Sequence, residues 1–299
     1  MVIGVLVVSV GGLAVATDAM GAGRLFDRAV AKIDRLFAGP VPDRPTVETV
    51  LVTPRPVESA TPLRSSASVG PNASAAAFAT PGPTSTPEPT PERVPVDVDI
   101  AADPAGIFAS EAKDTWCSPA GVQITLAFLG KADTSVGFQG ELQGRVHEWE
   151  SYSDSHNGDW GPAAMALALD AYGAPGYEVR AYKTRQAALL DAATAIESTG
   201  SPVTLLAWRG AHTWVMTGFR ADADPAVFPD ATVAGAYIVD PWYPRVSSIW
   251  GPSDPPGTFQ DGAEMARNYL AWKRPEGHYP ERDGLFISVV PTVKAAAGD

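Results

Sequence analysis

The sequence predicts an α+β fold in which a helical half packs on an antiparallel β-sheet, with a cleft between the two. Three observations predict it. Apolar residues recur at helical spacing from about residue 117 to residue 198, short β-rich runs begin at Val203, and Gly-, Pro- and Asp-rich turns separate these segments. Helices that precede strands in the chain are typical of α+β domains.

Three helices are predicted. The first covers Pro119–Leu129, where apolar residues keep a helical period. The segment 132–159 that follows is rich in Gly, Ser and Asp and is expected to be irregular. The second helix is predicted over Ala163–Tyr172, after a proline that costs no hydrogen bond in the first turn, and the third over Arg185–Ser198.

Four strands are predicted from β-branched and aromatic runs between turn signals. They are Val203–Trp208, Thr213–Phe219, Ala236–Val239 and Leu285–Val290. The first two are separated by a short turn that contains Gly210.

Composition places the folded domain at residues 105–293. Every Trp and Tyr lies at or after Trp116, and about half of the 28 prolines fall between residues 40 and 104. A Pro-, Thr- and Ser-rich segment with so few aromatic residues buries too little apolar surface to offset its ordering entropy. Residues 40–104 are therefore predicted to be a disordered linker, and 294–299 a short tail.

The N-terminus predicts export. Residues 1–23 are mostly apolar and fit either a signal peptide or a membrane anchor, and residues 24–39 have the spacing of an amphipathic juxtamembrane helix. An apolar start, a Pro/Thr/Ser-rich spacer and one domain indicate an extracellular or membrane-anchored protein facing the outside of a bacterial-type cell.

The net charge of the chain disfavours one class of binding partner. The net charge of the 299-residue chain is −12 and its pI is about 4.7, which disfavours nucleic acid because phosphate binding needs a basic face. No cofactor is predicted, because the sequence contains no phosphate-binding loop or dinucleotide fingerprint. Since the chain has one cysteine, it forms no internal disulfide.

That cysteine, Cys117, lies at the predicted start of the first helix. The helix dipole and the unsatisfied N–H groups of a first turn favour a thiolate over a thiol. A lone cysteine is often a small buried apolar residue. The position at a helix N-terminus makes Cys117 a candidate nucleophile.

A thiol nucleophile needs a base and a group that orients the base. His212 opens the second predicted strand, and Asp240 directly follows the third. If these strands are antiparallel neighbours, the carboxylate of Asp240 can reach the imidazole of His212. The candidate catalytic residues are therefore Cys117, His212 and Asp240.

These motifs resemble a known family. The runs Trp116-Cys117-Ser118-Pro119-Ala120, Gly200-Ser201-Pro202-Val203 and Val239-Asp240-Pro241-Trp242, with His212 before an apolar strand, are similar to the bacteriocin-leader-processing (double-glycine peptidase) branch of papain-like cysteine peptidases. Its standalone exported relatives are more similar still. The resemblance implies a papain-like peptidase fold over about residues 108–291. It also implies that Cys117 is the nucleophile, His212 the general base and acid, and Asp240 the orienting residue.

One position departs from the family. Its members carry a Gln a few residues before the cysteine that donates a hydrogen bond to the oxyanion, and this chain has Glu111, Lys113 and Asp114 in that region. An ionised carboxylate repels an oxyanion, so Glu111 or Asp114 can donate only when protonated. The loss of one such donor typically lowers the rate about 100- to 1,000-fold.

Three tryptophans are candidates for the wall of the cleft. They are Trp116, Trp160 and Trp242. The segment Asp159-Trp160-Gly161-Pro162-Ala163 is similar to the start of the nucleophile helix, with Trp160 at the position of the cysteine. The favoured interpretation of this segment is an ordinary helix start that packs against the sheet.

No metal site is predicted. His147, His156, Asp154 and Asp159 lie in the irregular segment without paired-ligand spacing and are interpreted as solvated loop residues.

Three functions remain open from the sequence. The first is an extracytoplasmic cysteine peptidase or thiol hydrolase that cleaves an amide bond. The second is a catalytically inactive binding module that has lost the oxyanion donor. The third is a thiol acyltransferase or cell-wall amidase on the same scaffold.

Overall fold

The computed structural model describes residues 47–53, 91–155, 158–273 and 276–294. Within these ranges the centre of the protein is an eight-stranded, largely antiparallel sheet with the order β1-β3-β10-β4-β5-β6-β9, and β2 pairs with β5 outside this path. A separate two-stranded sheet joins β7 and β8. The strands are β1 Val50–Leu51, β2 Val96–Asp99, β3 Tyr177–Tyr182, β4 Val203–Ala207, β5 His212–Ala221, β6 Val233–Val239, β7 Val246–Ser247, β8 Gly251–Pro252, β9 Thr258–Asp261 and β10 Phe286–Pro291.

Five α-helices accompany the sheet in the described residues. They are α1 Cys117–Phe128, α2 Val136–Gly144, α3 Pro162–Ala171, α4 Arg185–Thr199 and α5 Gly262–Asn268. Short 3-10 turns cover Val146–Glu148 and Trp208–Gly210. The chain is therefore an α+β protein, as the sequence predicts.

Helices cover both faces of the sheet. Leu205 and Leu206 are neighbours on β4, and their side chains enter different apolar clusters because successive residues of a strand point to opposite faces. One cluster contains residues of α1 and α3, and the other contains residues of α4 and α5. The predicted packing of the nucleophile helix on the sheet is thus observed for α1, and α4 and α5 cover the opposite face.

The order of elements also differs from the prediction. β3 lies between α3 and α4, so strands do not simply follow helices. The segment 132–159 is not wholly irregular, because α2 forms there. The hydroxyl of Ser135 caps α2 by accepting a hydrogen bond from the amide of Phe138, and the Leu142 side chain is fully buried.

The sheet also begins earlier in the chain than residue 105. β2 pairs with β5 in antiparallel register, with Val98 opposite Phe219. β1 pairs in parallel with β3. These two strands lie within the predicted linker 40–104, so that linker contains segments that pair with the sheet. Residues 54–90 lie outside the described ranges.

The strand pair that matters for the site is β5 with β6. The two are antiparallel, with Val215 opposite Val239, which brings the start of β5 beside the end of β6. The two strands are therefore antiparallel neighbours, which is the arrangement that lets Asp240 reach His212.

None of the helices in the described ranges has the length and apolar character needed to span a bilayer. The segments 1–23 and 24–39, for which a signal or anchor and a juxtamembrane helix are predicted, lie outside the described residues, as do residues 295–299 of the tail.

Candidate active site

Cys117 is the first residue of α1. Trp116 is the N-cap residue and provides no side-chain hydrogen bond to the first turn. The side chain of Cys117 is partly exposed, and its Sγ lies 4.0 Å from the carbonyl oxygen of Ala211, the residue before His212. An accessible sulfur thus lies at an uncapped helix N-terminus, where backbone N–H groups attract negative charge.

α1 approaches β5 closely just behind the cysteine. A Cβ atom added at Gly121 would lie 2.4 Å from Cγ2 of Thr213, so only glycine permits this approach. The hydroxyl oxygens of Ser118 and Thr213 lie 3.2 Å apart, within hydrogen-bond distance. Both contacts fix the start of α1 relative to the start of β5.

His212 and Asp240 form a buried pair. Nε2 of His212 lies 2.7 Å from Oδ1 of Asp240, and the two residues are 2% and 6% exposed. The backbone N–H of Trp242 donates to the same oxygen at 2.9 Å. The carboxylate is therefore held in place, and it fixes the orientation of the imidazole ring. The structure brings together the histidine and aspartate selected from the sequence.

Aromatic rings fix the imidazole from its face and edge. The ring of Trp208 stacks on that of His212 with centroids 4.0 Å apart and planes 20° apart, and Trp242 lies edge-on at 6.4 Å. Nε1 of Trp208 donates to Oδ1 of Asn268 at 3.0 Å. The turn that carries Trp208 is strained, since Trp208 and Arg209 have φ values of 51° and 64°.

Opposing influences set the pKa of His212. Burial alone lowers it, because the imidazolium loses hydration. The charge and hydrogen bond of Asp240, followed by those of the Cys117 sulfur, raise it more, so the pKa rises from 6.5 to about 10. The Asp240 carboxylate thus stabilises the protonated form of His212 against the cost of burying its charge.

Glu111 is buried beside this group. It is 1% exposed, and neither carboxylate oxygen has a hydrogen-bond partner among the described residues. Its backbone N–H donates to the carbonyl of Pro241 at 2.9 Å, and its carbonyl accepts from Nη2 of Arg245 at 2.7 Å. Burial raises the pKa of Glu111 to about 7, against the opposing charges of His212 and Arg245.

Trp242, Asp114 and Trp116 are also predicted for the cleft, and each has a defined contact in the structure. Trp242 lies at the histidine, as described above. Asp114 forms an ion pair with Arg245 at 3.2 Å, and Lys113 lies 5.1 Å above the ring of Trp116.

Trp160 is placed elsewhere. Its Nε1 donates to Oε1 of Gln143 at 2.9 Å, and its ring packs on Trp149 at 5.4 Å. Among the described residues, none of its ring contacts or hydrogen bonds involves Cys117, His212 or Asp240. The interpretation of this segment as an ordinary helix start fits these contacts better than a cleft wall does.

The loop considered for metal binding has structural roles. Oδ1 and Oδ2 of Asp154 accept from the first amides of α3, and Oδ1 also accepts from Nη2 of buried Arg282 at 2.6 Å. Nδ1 of His147 lies 2.8 Å from Oε1 of Glu150. In the described part of the chain no cluster of three or more His, Cys, Asp or Glu is arranged to hold a metal ion, and His156 lies outside that part.

Sequence reasoning misses several residues that build the site. The sequence predicts that Trp208 ends a strand, and nothing in it signals the positive φ of this residue. Gln139 lies in the segment expected to be irregular, yet its buried side chain bonds to both neighbours of Glu111, with Oε1 accepting from Ala112 N–H at 2.7 Å and Nε2 donating to Ser110 O at 3.2 Å.

Comparison of the chain with protein-family models, with curated proteins and with solved structures finds no match in any of the three.

Proposed function

We propose that the chain is a papain-like thiol hydrolase that cleaves an amide bond of a peptide or protein through a thioester on Cys117. The observation that carries the proposal is the buried His212–Asp240 pair next to a partly exposed sulfur at a helix N-terminus. Covalent catalysis by a thiol requires a nucleophile, a base and a group that orients the base. In this proposal Cys117, His212 and Asp240 have these three roles.

Acylation follows from this geometry. Since Asp240 engages Nε2 of His212, Nδ1 is the ring nitrogen left to exchange a proton with the sulfur. The thiolate attacks the amide carbonyl carbon, a C–S bond forms, and the carbonyl electron pair moves to oxygen. The backbone N–H of Cys117 at the start of α1 donates to this oxyanion. Collapse breaks the C–N bond, and Nδ1–H of His212 gives its proton to the departing amine.

Deacylation uses the same groups with water as the second reactant. Neutral His212 takes a proton from water as the water attacks the thioester carbonyl. The C–S bond then breaks, the acid product leaves, and the thiolate and imidazolium are restored. Asp240 keeps the ring in one orientation throughout.

The proposal includes a location outside a bacterial-type cell, supported by the apolar segment 1–23 and the Pro/Thr/Ser-rich composition that follows it. An amine in place of water as the acceptor makes the same site an acyltransferase, and a cell-wall amide as the substrate makes it an amidase.

Covalent trapping tests the proposal. The full chain is mixed with para-nitrophenyl acetate, and acetylation is located by mass spectrometry of peptides. Rapid acetylation at Cys117, slowed at least about 100-fold in His212→Ala and absent in Cys117→Ala, is expected. An acetylation rate unchanged in His212→Ala contradicts the triad and favours a non-catalytic binding module. Added amine that captures the acetyl group identifies an acyltransferase.

A further inference from the structure

We infer that Glu111, as a neutral carboxylic acid, donates a hydrogen bond to the oxyanion that forms at Cys117. This inference rests on the proposed function and adds a catalytic residue to it. It also sets the pH range in which the enzyme works.

The backbone at Glu111 is held on all sides. Its own N–H and C=O are bonded to Pro241 and Arg245, and Gln139 bonds to the residues before and after it. Nε2 of Gln139 also donates to Oε1 of Gln123 on α1, at 2.9 Å. The segment is thus tied both to the residue after Asp240 and to the helix that begins with Cys117.

The side chain of Glu111 is left without a partner in this otherwise well-bonded setting. Both carboxylate oxygens are buried and unpartnered among the described residues. A buried unpartnered carboxyl costs stability, and polar groups in this state concentrate at functional sites. Glu111 lies close to the His212–Asp240 pair, because its backbone N–H bonds to the carbonyl of Pro241, the residue directly after Asp240.

Charged groups face Glu111 from the surrounding elements. His212 lies at the start of β5, Asp240 and Arg245 follow β6, and Asp114 lies on the same segment as Glu111. Burial raises the pKa of Glu111 to about 7, both neighbouring carboxylates act in the same direction, and the two cations oppose them. The carboxyl is therefore mainly neutral below about pH 7 and mainly ionised above it.

Only the neutral form suits the reaction. When the thiolate attacks, negative charge moves from sulfur to the carbonyl oxygen, and the O–H of Glu111 donates a hydrogen bond to it without giving up the proton. Above about pH 7 the ionised carboxylate repels the oxyanion. His212 remains an imidazolium up to about pH 10, so the loss of activity near pH 7 belongs to Glu111 and not to the triad.

Rates of Cys117 acetylation by para-nitrophenyl acetate test the inference between about pH 5 and about pH 9. In the wild type the rate is expected to fall about tenfold for each pH unit above about 7. Glu111→Gln keeps a neutral donor, so its rate is expected not to fall there. Glu111→Ala is expected to lower the rate about 100- to 1,000-fold at acidic pH.

Glu197→Gln is the matched control. Burial also raises the pKa of Glu197 to about 7, but this residue lies on α4 beside Asp224, which follows the opposite end of β5 from His212. The control is expected to keep the fall above about pH 7. A fall that persists in Glu111→Gln, or that disappears in Glu197→Gln, overturns the inference.

Alkylation by iodoacetamide separates this inference from the proposed function, because displacement of iodide creates no oxyanion. Alkylation faster in the wild type than in His212→Ala supports the activated thiol. If alkylation depends on His212 in this way but the pH profile of acetylation is unchanged in Glu111→Gln, only the role of Glu111 is refuted. The same conclusion follows if the wild type is not acetylated at acidic pH. Alkylation that does not depend on His212 refutes the proposed function itself.

Discussion

Replacement of Glu111 by glutamine is expected to stabilise the folded protein at neutral and alkaline pH. Glutamine has nearly the same shape as glutamate but carries no charge. The folded state buries the carboxyl beside two other carboxylates, so ionisation of Glu111 is less favourable there than in the unfolded chain.

The magnitude follows from the pKa. Burial raises the pKa of Glu111 from 4.5 to about 7, so between these values the folded state holds a proton that the unfolded state releases. The wild type's free energy of unfolding therefore falls as pH rises through this window and levels off above about pH 7. At about 1.4 kcal/mol for each pH unit, the full loss is about 3 kcal/mol.

Urea unfolding followed by tryptophan fluorescence measures this effect. The free energy of unfolding of Glu111→Gln minus that of the wild type is expected to rise by about 3 kcal/mol from about pH 4.5 to about pH 8. Glu178→Gln, at a glutamate whose side chain is 46% exposed, serves as the control and is expected to give a difference that hardly changes. A difference for Glu111→Gln that is independent of pH refutes the assignment of a buried neutral acid.

Three further substitutions and one control, Gly140→Ala, test other parts of the structure. Asp240→Ala removes the carboxylate that raises the pKa of His212. Alkylation of the sulfur, measured with iodoacetamide, is therefore expected to slow at least about tenfold and to lose its dependence on His212. Gly121→Ala places a Cβ 2.4 Å from a side chain of β5, so it is expected to destabilise the fold by about 1–3 kcal/mol and to slow acetylation. At Gly140, by contrast, an added Cβ meets nothing within 4 Å, and Gly140→Ala is expected to stabilise the fold by about 0.5–1 kcal/mol. Urea unfolding compares the two variants. Asp154→Asn leaves the guanidinium of buried Arg282 without its carboxylate and is expected to cost about 3–5 kcal/mol in the same assay, and a cost below about 1 kcal/mol contradicts the buried ion pair.

The candidate triad is readable from the sequence because strand boundaries are marked there. His212 follows a Gly-containing turn and begins an apolar run, and Asp240 ends another apolar run before a proline. Once the two strands are taken as neighbours, the pairing of their ends follows from antiparallel geometry. The register with Val215 opposite Val239 bears this out.

The missed elements have different causes. α2 contains three glycines, which lower its intrinsic helix propensity, and it forms because Ser135 caps it and Leu142 is buried. β3 does carry a period-two pattern, since Tyr177, Val179 and Ala181 are buried while the intervening Glu178 and Arg180 are polar and only partly buried. This strand is therefore predictable from the sequence. The pairing of β2 depends on contacts distant in sequence, which composition does not reveal.

The state of Glu111 also lies beyond sequence reasoning. Its position before the cysteine makes it a candidate donor, but the sequence does not say whether its carboxyl is solvated or buried. Burial comes from the packing of its segment against the residues that follow β6, and Gln139 and Arg245 hold that segment in place. Neither of these residues belongs to a motif near Glu111.

In the proposed mechanism His212, oriented by Asp240, activates the Cys117 sulfur as a nucleophile. The rate of alkylation by iodoacetamide as a function of pH tests this most directly, because Cys117 is the sole cysteine and takes all of the label. At about pH 6 the wild type is predicted to react at least about tenfold faster than His212→Ala, since the imidazolium stabilises the thiolate. Identical pH–rate curves for the two proteins would contradict the claim.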